Sequence, residues 1–462
     1  DFYSTSQRFS VDNPATAEVI TQVSDIDEAG VELAIKSADE AFSKLKQTTA
    51  TERSETLRRW YELVIEHKQQ LAELMTKEQG KPLKEALGEV EYGAGFIKWF
   101  SEEAKRSYGD TIPATDSKHR LTTIKQPIGV VAGITPWNFP IAMITRKVAP
   151  AYAAGCSFVI KPSEHTPLCA IALAYLADKA GFVKGALNVV VSENAKMVGE
   201  IMTESERVRK FTFTGSTGVG KQLLSQCAST IKQTSMELGG NAPFIIFDNA
   251  DLDEAVAGLM GAKFRNAGQT CVAANRIFVQ RSVLETVLEK LTDKVAELKV
   301  GNGLDDGVDI GPLIYPKAKE KVQTLVQDAV DKGASLIGDN SELEGSFQAP
   351  LILTDVTPEM DIYHDEVFGP VVSIIAFDDE QEVLQLANDV PYGLAAYFYS
   401  ENIKQVYRVS EALEYGMIGI NEGLISNPVA PFGGVKQSGL GREGGHQGLD
   451  EYLEEKYLCV KV

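Results

Sequence analysis

One cysteine sits in a setting that suits a reactive thiol. Cys271 closes the run Phe264-Arg265-Asn266-Ala267-Gly268-Gln269-Thr270-Cys271, whose small and polar members make a poor core filler. Most cysteines are small buried hydrophobes, and that plainer reading stays open. A polar, tight frame is also what a nucleophilic thiol needs. Glu237 lies in Met236-Glu237-Leu238-Gly239-Gly240-Asn241. A carboxylate between apolar residues is either a partly buried base with a raised pKa or a solvated turn residue. The loop Thr135-Pro136-Trp137-Asn138-Phe139-Pro140 is fixed by two prolines. Its Asn138 amide is a rigid donor of the kind an oxyanion hole uses, or an Asn packed under Trp137.

Two further segments suit a dinucleotide. Gly215-Ser216-Thr217-Gly218-Val219-Gly220 stands between an expected strand, Phe211–Thr214, and an expected helix starting near Lys221. Glycines there let backbone N–H groups approach a pyrophosphate, although the same run is an ordinary strand-to-helix turn. Lys161-Pro162-Ser163-Glu164 follows the expected strand Ser157–Ile160. A carboxylate so placed binds ribose hydroxyls and repels a 2′-phosphate, or simply favours a helix start.

The elements that must position these groups read as an α/β chain. Amphipathic spacing predicts helices over Asp25–Lys46, capped at Ser24 or Asp25, over Thr51–Gln79, and over Lys84–Tyr108. From Leu121 onward, short apolar runs alternate with helices. Strands are expected at Ile128–Ile134, Ser157–Ile160, Ala186–Val191 and Phe211–Thr214, with a helix from Thr166–Pro167 to Ala180. That alternation predicts a parallel doubly wound sheet of Rossmann type. A second α/β unit starts near Asn241, with strands at Pro243–Phe247, Arg276–Val279 and Val371–Phe377, and the tail Tyr452–Val462 reads as a strand.

The chain has 462 residues, 45 Lys plus Arg against 65 Asp plus Glu, and a formal charge of −20. The length implies two or three domains. The charge argues against nucleic-acid or anionic-membrane partners. Five cysteines, Cys156, Cys169, Cys227, Cys271 and Cys459, are widely spaced without a CxxC or Cys/His cluster. No disulfide framework and no metal site are expected, and a reducing cytoplasm fits. Asp1 to Val11 is polar and lacks an initiator Met, which reads as no secretory signal and a short trimmed leader. The most apolar stretch, Pro127 to Thr145, holds Pro136 and Pro140 and cannot be a spanning helix.

Taken together, PWNFP, KPSE, FTGSTGVG, MELGGN, GQTC, Glu366-Val367-Phe368-Gly369-Pro370 and Pro431-Phe432-Gly433-Gly434 resemble the aldehyde dehydrogenase superfamily, in its order along the chain. The resemblance covers essentially the whole chain. It implies a nucleotide-binding domain (1–109 and 127–236), a catalytic domain (237–436) and a β-strand oligomerisation arm (110–126 and 437–462). It implies a homodimer or homotetramer and a small aldehyde substrate. Cys271 would be the nucleophile, and Glu237, which lies 34 positions earlier (271 − 237 = 34), the general base. Asn138 and the Cys271 N–H would hold the oxyanion. Trp137, Lys161, Ser163, Glu164, Gly215, Ser216, Glu366 and Phe368 would bind the cofactor, NAD or NADP.

Within the superfamily, FRNAGQTC, ITRKVAPA and the ending EYLEEKYLCV are most similar to succinate-semialdehyde dehydrogenases. The resemblance implies oxidation of a carboxylated aldehyde through a Cys thioester, with glutarate semialdehyde as the alternative to succinic semialdehyde. A non-catalytic relative on the same fold is the rival from another class. Arg146, Arg265 and Ser426 fall where that group binds the substrate carboxylate, which forked guanidinium donors suit; an internal ion pair is the plainer reading of each Arg. Some members carry Cys-x-Cys, whose second thiol permits a disulfide switch. Here the run is Cys271-Val272-Ala273, so that switch is expected to be missing. Glu164 stands where related bacterial chains often have a small residue, and its charge predicts a preference for NAD.

Overall fold

The computed structural model describes residues 3–338 and 343–462. Asp1 and Phe2 of the polar opening stretch lie outside the described residues. The first expected helix runs over Glu28–Leu45, and its cap is Asp27, whose carboxylate accepts the Gly30 N–H at 2.9 Å. The second divides into Ala50–Glu66 and Lys68–Gln79, because His67 leaves helical geometry (φ −97, ψ 17). Thr49 and Glu52 form a reciprocal capping box at its start. The third spans Leu83–Glu103 and ends in a single 3-10 turn, Ala104–Arg106. These helices do not stand apart as a block. Trp60, Phe96 and Phe100 join Val131, Phe158 and Ile160 in one core on a face of the first sheet. Val31, Ile35 and Ala38 pack with Val198, Met202 and Leu223 on the other face.

That first sheet has six strands. In spatial order they are Gly439–Leu440, Gln233–Glu237, Val208–Thr214, Val130–Ile134, Ser157–Lys161 and Leu187–Val189. All pair in parallel except the short Gly439–Leu440 edge. The chain starts at the central Val130–Ile134 strand, winds outward one way, then returns to wind the other. This is the doubly wound arrangement, and helices on both faces explain why Ser157–Lys161 is buried along its whole length. The Gln233–Glu237 strand was not anticipated, since its QTSME sequence carries little apolar signal.

The second sheet has seven strands, in the order Ser335–Ile337, Leu351–Thr354, Val371–Phe377, Ala274–Gln280, Ala242–Ile246, Ala395–Tyr399 and Met417–Ile420. Only the Ser335–Ile337 edge runs antiparallel. A large core built on Phe244, Ile277, Phe278, Ile374 and Phe398 surrounds it. A third sheet pairs His119–Pro127 with the tail strand Leu453–Lys461 over nine residues, and Thr111–Ile112 adds a short third strand. Ile124, Tyr457 and Val460 are exposed on this ribbon. An N-terminal hairpin, Arg8–Asp12 with Val19–Ser24, completes the strands described here. Among the described residues no helix is long and apolar enough to cross a membrane.

Candidate active site

The residues singled out in the sequence gather where strand ends of the two large sheets face each other. From the first sheet come the carboxyl ends of three adjacent parallel strands. Val130–Ile134 leads into Trp137 and Asn138, Val208–Thr214 into Gly215 and Ser216, and Gln233–Glu237 ends on Glu237 itself. The strand order reverses here, which is where open α/β sheets bind ligands. From the second sheet come the amino ends of two neighbouring strands: Cys271 precedes Ala274–Gln280, and Glu366 to Phe368 precede Val371–Phe377. Between them lies a cavity of about 680 Å³, lined by Trp137, Asn138, Gly215, Ser216, Glu237, Cys271, Glu366 and Phe368 among others.

The Cys271 loop is held in a costly shape. Asn266 and Ala267 have φ of 54°, and Gly268 has 75°. Left-handed geometry costs a non-glycine residue about 1–2 kcal/mol. At Gly268 the φ and the space both demand glycine, since a Cβ would meet the Gly369 carbonyl oxygen at 2.2 Å. Side-chain amides hold the loop. Asn266 donates to the Asn138 carbonyl (2.9 Å) and accepts from Gln79 (3.0 Å), and Gln269 accepts the Ile314 N–H (3.0 Å).

Asn138 is held from both sides. Its Nδ2 donates to the Gln269 carbonyl at 2.9 Å, which leaves the second N–H of that amide for a ligand. Its backbone carbonyl accepts from Lys81 Nζ at 2.8 Å. Lys81 in turn pairs with Glu89 at 2.5 Å in a fully buried ion pair.

The electrostatics are unusual for a site with a thiol. Burial pushes the Cys271 thiol up to about 12; the Arg146 charge pulls it back, while Glu366 and Glu237 push it further up. The resting thiol therefore keeps its proton and needs a base to become a nucleophile. Burial also lifts the Glu237 carboxyl well above its usual range, with Glu443 adding to the lift and Arg146 opposing it. Both Glu237 oxygens are buried without a hydrogen-bond partner among the described residues. Glu366 is raised to about 7 by burial, despite accepting the Gly240 N–H at 3.3 Å. The fully buried Lys263 ammonium, also without a partner, is lowered to about 7 by burial, with Glu366 opposing.

The expected cofactor segments separate into two groups. Trp137, Gly215, Ser216, Glu366 and Phe368 line the cavity directly. The helix after Gly215 starts at Thr217, earlier than expected, and Ser216 makes no side-chain cap bond, so its first N–H groups are left open. Lys161, Ser163 and Glu164 flank the cavity one strand along, where Thr135 N–H donates to the Lys161 carbonyl at 3.0 Å. Lys161 and Glu164 pair at 3.2 Å. Burial raises the Glu164 carboxyl, but Lys161, its own backbone N–H and His165 together outweigh this and leave it below its usual range. Tyr315, not anticipated, joins the groups: its ring lies 5.2 Å from His165 and 6.3 Å from Trp137.

The three residues expected at a substrate carboxylate also differ in setting. Arg146 is buried over the Phe432 ring (4.5 Å) and forms an ion pair with Glu443. Its Nη2 has no hydrogen-bond partner among the described residues. Glu443 also takes Lys147 at 2.5 Å. Arg265 lies over the Phe139 ring at 5.2 Å and has no ion pair among the described residues. It shares a small crevice behind the Cys271 loop with Ser426, Thr270 and Tyr397. Sequence reasoning passed over Glu443, although a carboxylate beside Gly444-Gly445 was a usable signal. Lys321, whose Nζ donates to the Glu366 carbonyl at 2.6 Å, gave none, being one lysine on a charged helix.

A sequence model described as "Aldehyde dehydrogenase family" matches residues 2–458. The chain belongs to that family. The enzyme is thus an oxidoreductase that takes aldehyde substrates with NAD(P). It is 55% identical to a glutarate-semialdehyde dehydrogenase of Pseudomonas putida, over 99% of this chain and 95% of that protein. It is 54% identical to a mitochondrial succinate-semialdehyde dehydrogenase of Arabidopsis thaliana, over 98% of this chain and 86% of that protein. Among solved structures, an NADP-dependent enzyme of E. coli superimposes with a TM-score of 0.99 at 51% identity, covering 100% of this chain and 97% of that one.

Proposed function

We propose that the enzyme oxidises succinic semialdehyde to succinate through a thioester on Cys271. The observation that carries this reading is one cavity lined by a half-buried thiol, a raised carboxyl and a fixed amide: Cys271, Glu237 and Asn138. A non-catalytic scaffold has no use for two unpartnered buried carboxylate oxygens on Glu237. Glutarate semialdehyde is the second reading, favoured by the Pseudomonas putida relative's name. A series of ω-carboxylated aldehydes of rising length, assayed for NADH formation, tests both. Best kcat/KM at the four-carbon member supports the first reading, and best activity at the five-carbon member replaces it with the second.

The site suits a nicotinamide dinucleotide. The open N–H groups at Thr217–Cys227 and the partnerless Thr214 and Thr217 hydroxyls are what a phosphate and ribose require. Gly239, whose added Cβ would lie 3.1 Å from Glu366 Oε2, keeps that carboxylate open for a sugar. Trp137, Gly215, Ser216, Glu366 and Phe368 would hold the cofactor, with Lys161, Ser163 and Glu164 at its adenosine end. When bound, it supplies the hydride acceptor.

The residues of the chain do the rest. Cys271 gives up its proton to the Glu237 carboxylate, a stronger base for its raised pKa. The sulfur then adds to the aldehyde carbon. The charge that develops on oxygen meets the Asn138 amide and the Cys271 N–H, on the order of 3 kcal/mol per donor. Loss of hydride leaves the acyl group on sulfur. Glu237 releases that proton to solvent and then takes one from water; the hydroxide adds to the thioester carbon, the C–S bond breaks and the acid leaves, and the sulfur recovers a proton from Glu237.

For cofactor choice we propose NAD over NADP. Glu164 is held below the usual carboxylate range and so is ionised at neutral pH, and the nearby Lys161 is already engaged with it. Glu164→Ser is expected to shift the kcat/KM ratio toward NADP by about tenfold, a change of about 1.4 kcal/mol. An unchanged ratio removes the charge argument.

Arg265 is the guanidinium we assign to the substrate carboxylate. Arg265→Ala is expected to raise KM for succinic semialdehyde by about 10- to 100-fold, the range for losing a charged hydrogen bond. Butanal, the uncharged analogue, checks it, because equal losses on both aldehydes count against the assignment.

A further inference from the structure

A tyrosine that the sequence reading never touched stands among all three expected carboxylate ligands. Tyr92 lies on the Leu83–Glu103 helix. Two glycines bring it there. Gly93 has Ala142 Cα and Ile141 Cγ2 within 3.3 and 2.8 Å of where its Cβ would stand, so this helix lies directly on the start of the helix carrying Arg146. Gly95 has Pro428 Cγ within 2.9 Å of its missing Cβ, so the same helix meets the loop that carries Ser426. The Tyr92 ring packs edge-on to Phe96 at 4.9 Å and touches the Phe139 and Met143 cluster. Phe139 is the ring beneath Arg265, and Met143 lines the main cavity.

We propose that the Tyr92 hydroxyl is a specificity-determining donor which, with Arg265 and Ser426, holds the remote carboxylate of the aldehyde. The proposal rests on the reading of the substrate as a carboxylated aldehyde. The Tyr92 ring lies against Phe139, over which Arg265 is stacked at 5.2 Å, and the phenol feels the charges of both Arg146 and Arg265. It is surrounded by protein yet keeps accessible surface, as Ser426 and Arg265 do. A phenol O–H, a serine O–H and a guanidinium that no internal carboxylate engages are donors in search of an anion. Burial raises the phenol above its ordinary range, outweighing both arginines, so at neutral pH it is protonated and able to donate. An uncharged aldehyde gives the phenol no carboxylate to hold.

The alternative is that Tyr92 merely fills space beside Phe96 and Phe139. Tyr92→Phe removes one oxygen and keeps that packing. Tyr92→Phe and Arg265→Ala are assayed beside the unaltered enzyme with succinic semialdehyde and with butanal at saturating NAD. The expected result for Tyr92→Phe is a fall of about tenfold in the ratio of kcat/KM between the two aldehydes, carried by KM for the charged one. An unchanged ratio in Tyr92→Phe, with a reduced ratio in Arg265→Ala, overturns the role of Tyr92 alone. Unchanged ratios in both variants overturn the carboxylated-substrate reading and this inference with it.

Discussion

Cys271→Ala is expected to lower turnover by at least about 10⁴-fold, because the bond-forming atom is gone, while cofactor affinity stays within about twofold. The two halves of this result come from different walls of one cavity. Trp137, Gly215 and Ser216 belong to the six-stranded sheet, whereas the thiol enters from the seven-stranded one. Cofactor titration by fluorescence, run beside an NADH assay, measures both. Residual turnover above about a hundredth of the parent's would remove Cys271 from the role of nucleophile, since no other cysteine stands near: Cys156, Cys169 and Cys227 are buried elsewhere and Cys459 sits on the tail strand.

Glu237→Gln is expected to separate the two halves of the reaction. Steady-state turnover falls by about 10²- to 10⁴-fold, the usual worth of a general base. At high pH, where hydroxide takes the Cys271 proton in place of Glu237, the first equivalent of NADH still forms as a burst and later turnovers stall on the thioester. Stopped-flow absorbance reads the burst directly. The pH dependence follows from the raised carboxyl. Glu237 acts as a base only when ionised, and its pKa lies well above the usual carboxylate range, so kcat of the unaltered enzyme rises with pH over a range displaced upward from that of an ordinary carboxylate. In Glu237→Gln that rise disappears. A slope that survives the substitution assigns the titration to another group, with Glu366, raised to about 7, the nearest candidate.

The class of fold was legible because helix-covered parallel strands leave long apolar runs, as in Val130–Ile134 and Ser157–Lys161. Strands lacking that signature were missed. Gln233–Glu237 carries Gln, Thr and Ser, yet it delivers Glu237 to the cavity. Met417–Ile420 is short, and the hairpin Arg8–Asp12 with Val19–Ser24 alternates or lies exposed. Helix starts were displaced where caps are local choices. Asp27 won over Ser24 and Asp25, and Thr217 began its helix ahead of Lys221.

In the site, local runs announced Cys271, Glu237, Asn138 and the Gly215-Ser216 turn. What no run announces is a partnership across the fold. Arg146 with Glu443, Lys81 with the Asn138 carbonyl, and Tyr315 between His165 and Trp137 join residues far apart in the chain. The electrostatic setting of the thiol is another such partnership: only the fold places Arg146, Glu237 and Glu366 around the Cys271 sulfur.

Base and nucleophile ride on different slabs. Glu237 is the last residue of a strand in one sheet, Ala242 opens a strand in the other, and Cys271 enters the second beside it. A short stretch of backbone between Glu237 and Ala242, with the hydrogen bonds of Asn138 to Gln269 and Asn266, ties the slabs together at the point of reaction. The distance that matters for proton transfer is therefore set by how the slabs sit against each other, more than by the stiffness of either. Changes that tighten that seam should alter speed with little effect on melting, and changes deep inside a slab should do the reverse.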